Sequence, residues 1–114
     1  MESPLQITFH GIDHSDAIEE RVREKATRLE QFYDRIVSCR VVVEQHHKTT
    51  SNLHRKGESF GIRIEVGVPG SDLVVKRDSE EHEDLQATLK GAFAAMERQV
   101  KDFADKQRTD RREA

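Results

Sequence analysis

The feature that most constrains this chain is a long amphipathic stretch, DLQATLKGAFAAMERQVKDFADK, at residues 84–106. Its apolar side chains recur at steps of three and four residues, which places them along one side of an α-helix. These residues are Leu85, Leu89, Ala92, Phe93, Met96, Val100 and Phe103. A helix with one apolar side needs a sheet or a second helix to cover that side. The stretch therefore predicts a layered domain built under this helix.

The N-terminal part of the chain predicts a strand followed by a helix. Residues 5–9 alternate between apolar and polar side chains, which is the period of a strand with one buried face, and Gly11 ends the alternation. Ser15 is placed to cap a helix that runs from Asp16 to about Phe32, where apolar residues again repeat at helical spacing. We expect both elements to bury one side against the same core.

Three more strands are predicted between the two helices. Residues 36–44 are rich in β-branched side chains, and residues 59–68 alternate between apolar and polar. The turn residues at 69–72 then lead into a returning arm at residues 73–77, which predicts a hairpin. Residues 45–57 have no periodicity and predict a polar connection.

The resulting order, β-α-β-β-β-α, predicts a two-layer α+β domain over residues 1–106. The first two strands, joined through a helix, should be parallel neighbours with a right-handed crossover, and the other strands should form an antiparallel meander. Both helices then pack on one face of a four-stranded mixed sheet. Residues 107–114 contain no apolar residue before the final Ala114, which predicts a disordered tail.

Overall charge and cysteine content bound the functional classes. Lys and Arg number 19 against 22 Asp and Glu, a formal charge of -3, so nucleic-acid binding requires that the cations gather in one patch. The single cysteine, Cys39, excludes an intramolecular disulfide and lies in a strand predicted to be buried. The sequence shows neither a signal peptide nor an apolar run of about 18 residues, so we expect a cytoplasmic protein without a membrane partner.

No residue pattern predicts catalysis or a bound cofactor. A nucleophilic cysteine needs an adjacent base and an accessible thiolate, and nothing in the sequence places a base near Cys39. A zinc site from His46, His47 and His54 is not expected, because no cysteine pair accompanies them and adjacent histidines rarely converge on one ion. The glycines form no phosphate-binding loop. We therefore expect a protein that is not an enzyme and that uses no metal, cofactor or small-molecule substrate.

Three stretches together resemble the ribosome hibernation promoting factor and ribosome-associated translation inhibitor family, also described as sigma-factor modulation or ribosomal subunit interface proteins. They are DAIEERVREKATRLEQFYDRI at residues 16–36, the V-P-G turn at residues 68–70, and EDLQATLKGAFAAMERQ at residues 83–99. The resemblance extends from the first strand to about Phe103 and implies the same β-α-β-β-β-α fold. It also implies a short form, without the C-terminal domain by which longer members pair ribosomes.

The resemblance implies a function and a partner. Members of this family dock in the groove of the small ribosomal subunit where mRNA and tRNAs sit, so the implied partners are that subunit and its ribosomal RNA. Inhibition of translation would be steric, during stress or stationary phase, as ribosome hibernation. Basic positions of the family match Lys25, Arg28, Arg98 and Lys101. Two departures are Ala95 and Asp102, which stand where the family commonly has Lys.

The expected RNA-binding residues lie on both helices and in the polar connection: Lys25, Arg28, Lys90, Arg98, Lys101, Lys48, Arg55 and Lys56. Each contact with a phosphate adds salt-sensitive affinity without reading base sequence. Cations on exposed helices are also typical of an ordinary solvated surface, and Glu24, Glu30 and Glu97 are placed to neutralise them. The loop cations equally fit a linker that has no fixed partner.

Two other functional classes stay open. Acidic residues outnumber basic ones, and Ala95 and Asp102 stand in place of lysines. Both observations favour a protein-interaction module that regulates a transcription or stress factor without contacting ribosomal RNA. A general binder of double-stranded RNA is favoured only by the layout of helices on a sheet. The arrangement of the cations separates these readings, because a phosphate surface requires them on one side of the molecule.

Overall fold

The computed structural model describes residues 1–47 and 58–113 of the 114-residue chain. Its elements follow the predicted order. They are β1 (Gln6–His10), α1 (Asp16–Phe32), β2 (Ser38–His47), β3 (Glu58–Val68), β4 (Ser71–Asp78) and α2 (Leu85–Glu113).

The four strands form one sheet in the order β1-β2-β3-β4. β1 pairs with β2 in parallel, and α1 makes the crossover between them. The pairs β2–β3 and β3–β4 are antiparallel, so the sheet is mixed. The predicted α+β class and four-stranded mixed sheet are therefore confirmed.

One face of the sheet is buried under the helices and the other is open. The register aligns Val41, Ile64 and Val75 across three neighbouring strands, and all three side chains are buried. Side chains alternate between the two faces of a strand. Arg40 and Lys76, next in sequence to two of these residues, are accordingly exposed. Both helices thus pack on one face, as predicted.

The helix boundaries reflect local capping and the apolar stripes. The Ser15 hydroxyl accepts a hydrogen bond of 3.3 Å from the Ile18 N–H, which is the predicted N-cap of α1. At the start of α2, the Asp84 carboxylate accepts one of 2.7 Å from the Ala87 N–H. In the middle of α2, Phe93 and Met96 are buried in the core.

Two elements are longer than the sequence predicted. β2 continues to His47 because its last residues pair with the start of β3, from Glu58 onward. A partner strand satisfies the backbone donors and acceptors, so a polar segment can extend a ladder without apolar periodicity. The remainder of the predicted loop lies outside the described residues.

α2 continues to Glu113 rather than ending at Lys106, which differs from the predicted disordered tail at residues 107–114. Local contacts accompany this extension: Arg108 pairs with Asp105, and the Thr109 hydroxyl donates to the Asp105 carbonyl at 3.1 Å. Contacts three and four residues apart support a helix even where no apolar side chain is present.

The β3–β4 hairpin is tighter than predicted, because β4 begins at Ser71 instead of Leu73. Two residues connect the strands, Pro69 and Gly70, and Val68 pairs directly with Ser71. Gly70 has a φ of 79°, a conformation that glycine adopts without steric cost.

Within the described part of the chain, no helix combines the length and the apolar composition that a membrane crossing requires.

Candidate functional site

The two helices meet along a seam that faces away from the sheet. Arg28 of α1 pairs with Glu97 of α2, with 2.9 Å between Nε and Oε1. Four residues further along both helices, the Lys101 ammonium lies 4.4 Å from the centre of the Phe32 ring. The second contact is four residues later than the first on both helices, so the helices run side by side in the same direction.

We name this surface the helix seam. It consists of Lys25, Arg28 and Phe32 on α1 and of Lys90, Glu97 and Lys101 on α2.

Helical spacing places the remaining cations around the two contacts. Lys25 lies three residues before Arg28 on the same shoulder of α1 and is half-buried. Lys90 lies seven residues before Glu97, two full turns, and therefore on the same side of α2. The seam thus carries cations from both helices, along about 16 Å of α2 between Lys90 and Lys101 at 1.5 Å rise per residue.

Arg98 lies outside the seam, on the outer surface of α2. It is two residues from both Met96 and Val100, which are fully buried, and two residues correspond to about 200° around a helix. Its exposed side chain therefore points away from the sheet. The structure brings Arg98 close to the seam on the same outer side of the molecule.

Most of these cations keep their charge available. Among the described residues, no carboxylate oxygen lies within 4.0 Å of the charged nitrogens of Lys25, Lys90, Arg98 or Lys101. Arg28 differs, because Glu97 neutralises it, although its side chain is 62% exposed. The helix cations therefore lie on one outer side of the molecule, and their contact with RNA stays a prediction.

The other carboxylates considered as neutralising partners pair elsewhere. Glu24 contacts Arg21 on α1 at 3.7 Å, and Glu30 contacts the N-terminal ammonium of Met1 at 3.2 Å. Of the three carboxylates that were expected to neutralise cations, Glu97 is the one that pairs with a seam cation, Arg28. Neither Glu24 nor Glu30 therefore cancels the charge of Lys25 or Lys101.

Phe32 is the seam residue that the sequence did not indicate as functional. Besides Lys101, the Arg28 guanidinium lies 5.9 Å from the centre of its ring. Cations near an aromatic face are attracted by the ring quadrupole, so Phe32 holds both side chains in position. Phe32 follows Arg28 by four residues and Lys25 by seven, and this helical spacing could have placed it on the same side of α1 as the two cations.

The remaining sequence predictions concern the two positions that depart from the family pattern and the cations of the polar connection. Ala95 is half-buried and packs against the core, and Asp102 is exposed on α2. Three predicted RNA-binding residues, Lys48, Arg55 and Lys56, lie outside the described residues.

One side-chain group at the start of α1 has the donor types of a metal site. The donor atoms of His14, Asp16 and Glu19 lie within 4.8 Å of one another. Arg23 donates a 2.7 Å hydrogen bond to Glu19, and this bond together with the His14 contact lowers the pKa of the Glu19 carboxyl. We interpret the group as an exposed ion-pair cluster on the first turns of α1.

Cys39 is a core residue, as the sequence indicated. Its side chain is 2% exposed, and burial raises the pKa of the thiol to about 12. A thiol with this pKa is protonated at neutral pH, and a protonated thiol is a poor nucleophile.

Taken together, these features define a small α+β domain with two parallel helices on one face of a mixed sheet. Along the junction of the helices lie lysines that have no carboxylate partner within 4.0 Å in the described part of the chain. The family model described as Sigma 54 modulation protein / S30EA ribosomal protein matches residues 5–108. The chain belongs to this family, which confirms the resemblance found in the sequence.

Curated relatives support the same assignment. The ribosome hibernation promoting factor of Azotobacter vinelandii is 31% identical over 103 residues, which cover 90% of this chain and 84% of that protein. The ribosome hibernation promotion factor of Deinococcus radiodurans is 25% identical over 108 residues, 95% of this chain. The match spans 52% of the Deinococcus protein, about half its length.

Solved structures share the fold. The Thermus thermophilus Protein Y N-terminal domain is similar with a TM-score of 0.69 and 25% identity, over 86% of this chain and 94% of that one. A ribosomal subunit interface protein from Coxiella burnetii has a TM-score of 0.67 and 21% identity, over 87% and 94% of the two chains. The Coxiella likeness supports the fold alone.

Proposed function

We propose that this protein binds the small ribosomal subunit through its helix seam and inhibits translation by occupying the channel for mRNA and tRNA. The observation that carries the proposal is the set of lysines that two helices present on one side, Lys25, Lys90 and Lys101, with no carboxylate oxygen within 4.0 Å among the residues that the structure describes. Membership in a family with curated relatives named for ribosome hibernation supports the choice of partner. The ribosome as partner also implies a cytoplasmic protein.

The proposed mechanism needs positioning and no bond chemistry. Lys25, Lys90 and Lys101 would neutralise phosphates of ribosomal RNA, and the displaced counterions supply affinity that does not depend on base sequence. Helices hold these side chains more rigidly than loops do, so the distances between the cations are fixed before the phosphates bind. The bulk of the sheet would then block the channel during stress or stationary phase, without a cofactor.

Ribosome binding is expected to depend strongly on salt. In cosedimentation with purified small subunits, the logarithm of the association constant should fall linearly with the logarithm of salt concentration. Three to five phosphate contacts, at roughly 0.7 to 0.9 each, predict a slope of about -2 to -4.5. Binding that is unchanged between low and high salt would contradict the proposal, as would recovery of the protein only with a protein partner from nuclease-treated lysate.

Replacing Glu97 by Gln is expected to strengthen ribosome binding. The change keeps the side-chain volume but releases Arg28 from its ion pair, so one more cation can meet a phosphate. We expect a several-fold gain in affinity and a salt slope steeper by about 1, measured by the same cosedimentation.

Glu24→Gln is the matched control for this variant. It raises the net charge equally and frees Arg21, which pairs with Glu24 along α1. If Glu24→Gln strengthened binding as much as Glu97→Gln, the gain would reflect total charge and not the seam.

A further inference from the structure

A cleft lies beside the helix seam, where α1 ends and α2 runs past it. It has a volume of about 360 Å³ and is bounded on one side by Phe32 and Tyr33 and on the other by Ala104 and Gln107 of α2. Binding sites for small ligands typically occupy about 300–1,000 Å³. The seam contacts described above do not use this cleft, apart from Phe32.

We propose that the cleft receives an unpaired base of RNA while the seam cations hold the adjoining phosphates. This inference rests on the proposed function, and it adds the class of RNA recognised: a single-stranded or bulged nucleotide in place of a plain duplex. Proteins commonly read unpaired bases by stacking them on aromatic side chains and by hydrogen-bonding their edges. The cleft supplies both kinds of group.

The aromatic side chains at the cleft are held in place. The Tyr33 ring packs edge-on against Phe103 of α2, with centres 5.3 Å apart. Phe32 lies within 4.4 Å of the Lys101 ammonium and 5.9 Å of the Arg28 guanidinium. Because the Lys101 ammonium and the Arg28 guanidinium lie over the Phe32 ring, a base would stack at Phe32 by taking the place of one of them, and the displaced cation could then meet an adjoining phosphate.

The polar groups of the cleft can pair with the edge of a base. Gln31 and Gln107 offer amides that both donate and accept, and the Asp34 carboxylate accepts. The last turn of α1 ends here without a basic residue, so its carbonyls keep the negative end of the helix dipole. Arg35 and Arg108 also line the cleft, and Arg108 pairs with Asp105, so the preference for a base rests on the two amides and the Asp34 carboxylate, which accept from amino groups. Adenine, cytosine and guanine carry exocyclic amines, whereas uracil does not.

The chain contains its own reporter for this test. Tyr33 is the single tyrosine and there is no tryptophan, so tyrosine emission comes from the edge of the cleft. The protein is titrated with hexaadenylate, hexauridylate and a fully paired RNA duplex at equal salt, with N-acetyltyrosinamide as the correction for light absorption. We expect saturable quenching by hexaadenylate, at least fivefold weaker apparent binding of hexauridylate, and no saturable quenching by the duplex.

Two variants separate stacking from charge. Phe32→Leu keeps an apolar side chain but removes the aromatic face, so hexaadenylate affinity should fall about tenfold. The salt slope should change by less than about 1, because Lys101 and Arg28 lose their position over the ring but keep their charge. Phe9→Leu is the matched control and should bind normally, because this half-buried phenylalanine of β1 packs against His14 near the start of α1, whereas Phe32 is at the end of α1. Gln107→Ala should reduce the preference for hexaadenylate over hexauridylate.

The outcomes distinguish this inference from the proposed function. Equal binding by Phe32→Leu and Phe9→Leu, or quenching that does not discriminate the duplex from hexaadenylate, overturns the cleft assignment. If ribosome cosedimentation stays salt-dependent in that case, the seam proposal stands without the cleft. Saturable, Phe32-dependent quenching by hexaadenylate with no ribosome binding would instead keep the cleft and reject the ribosome as partner.

Discussion

Reversing two charges of the helix seam, with Lys25→Glu and Lys101→Glu in one protein, should lower affinity for small ribosomal subunits on the order of 100-fold at about 0.1 M salt. Each change removes a phosphate contact and adds a repulsive carboxylate, and neither lysine has a carboxylate partner within 4.0 Å among the described residues. The salt slope should become shallower by about 2. Cosedimentation across a salt series measures both quantities.

The control for this variant changes net charge equally on the opposite face. Arg40→Glu with Lys76→Glu places the same charge change on the open side of the sheet, where both side chains are exposed. We expect affinity within about threefold of the unmodified protein, because exposed charges farther than a Debye length of about 10 Å are largely screened. Comparable losses in both double variants would mean that total charge, and not the seam, governs binding.

Replacing Phe93 by Ala should cost the domain about 3–5 kcal/mol of unfolding free energy. The Phe93 side chain is 1% exposed and lies on the apolar stripe by which α2 covers the sheet. Truncation leaves a cavity that neighbouring side chains fill only in part. Because domains of this size are typically stable by about 5–15 kcal/mol, the variant should approach the limit of folding. The Tm is expected to fall by roughly 10–25 °C.

Urea denaturation and thermal melting followed by circular dichroism measure this loss. Val74→Ala is the control, because Val74 is a large apolar side chain that is 41% exposed, and it should change stability by less than about 0.5 kcal/mol. If Phe93→Ala were no more destabilising than Val74→Ala, α2 would not be the element that closes the core.

Most of the fold was predictable because side-chain periodicity is local. The apolar steps of α2 and the alternation in β3 assign each element and its buried side from neighbours a few residues apart. The limits of two elements were less predictable. β2 extends to His47 through pairing with β3, and α2 extends through residues 107–113, where composition contains no apolar signal.

The candidate site was predictable only in its components. The family resemblance and the charge pattern indicated Lys25, Arg28 and Lys101. Residue spacing within one helix does not determine which residues of a second helix will lie opposite them. The cleft beside Phe32 requires the end of α1 to meet Gln107 of α2, two positions far apart in sequence.

The sequence by itself determined the order of the elements, the buried side of each one and the identity of the core, because periodicity and capping act within a few residues. Only the tertiary structure decided that Arg28 is held by Glu97 while Lys101 lies over Phe32. Those contacts depend on how the two helices are rotated and aligned on the sheet. That alignment is set by packing of the whole core, and no local pattern records it.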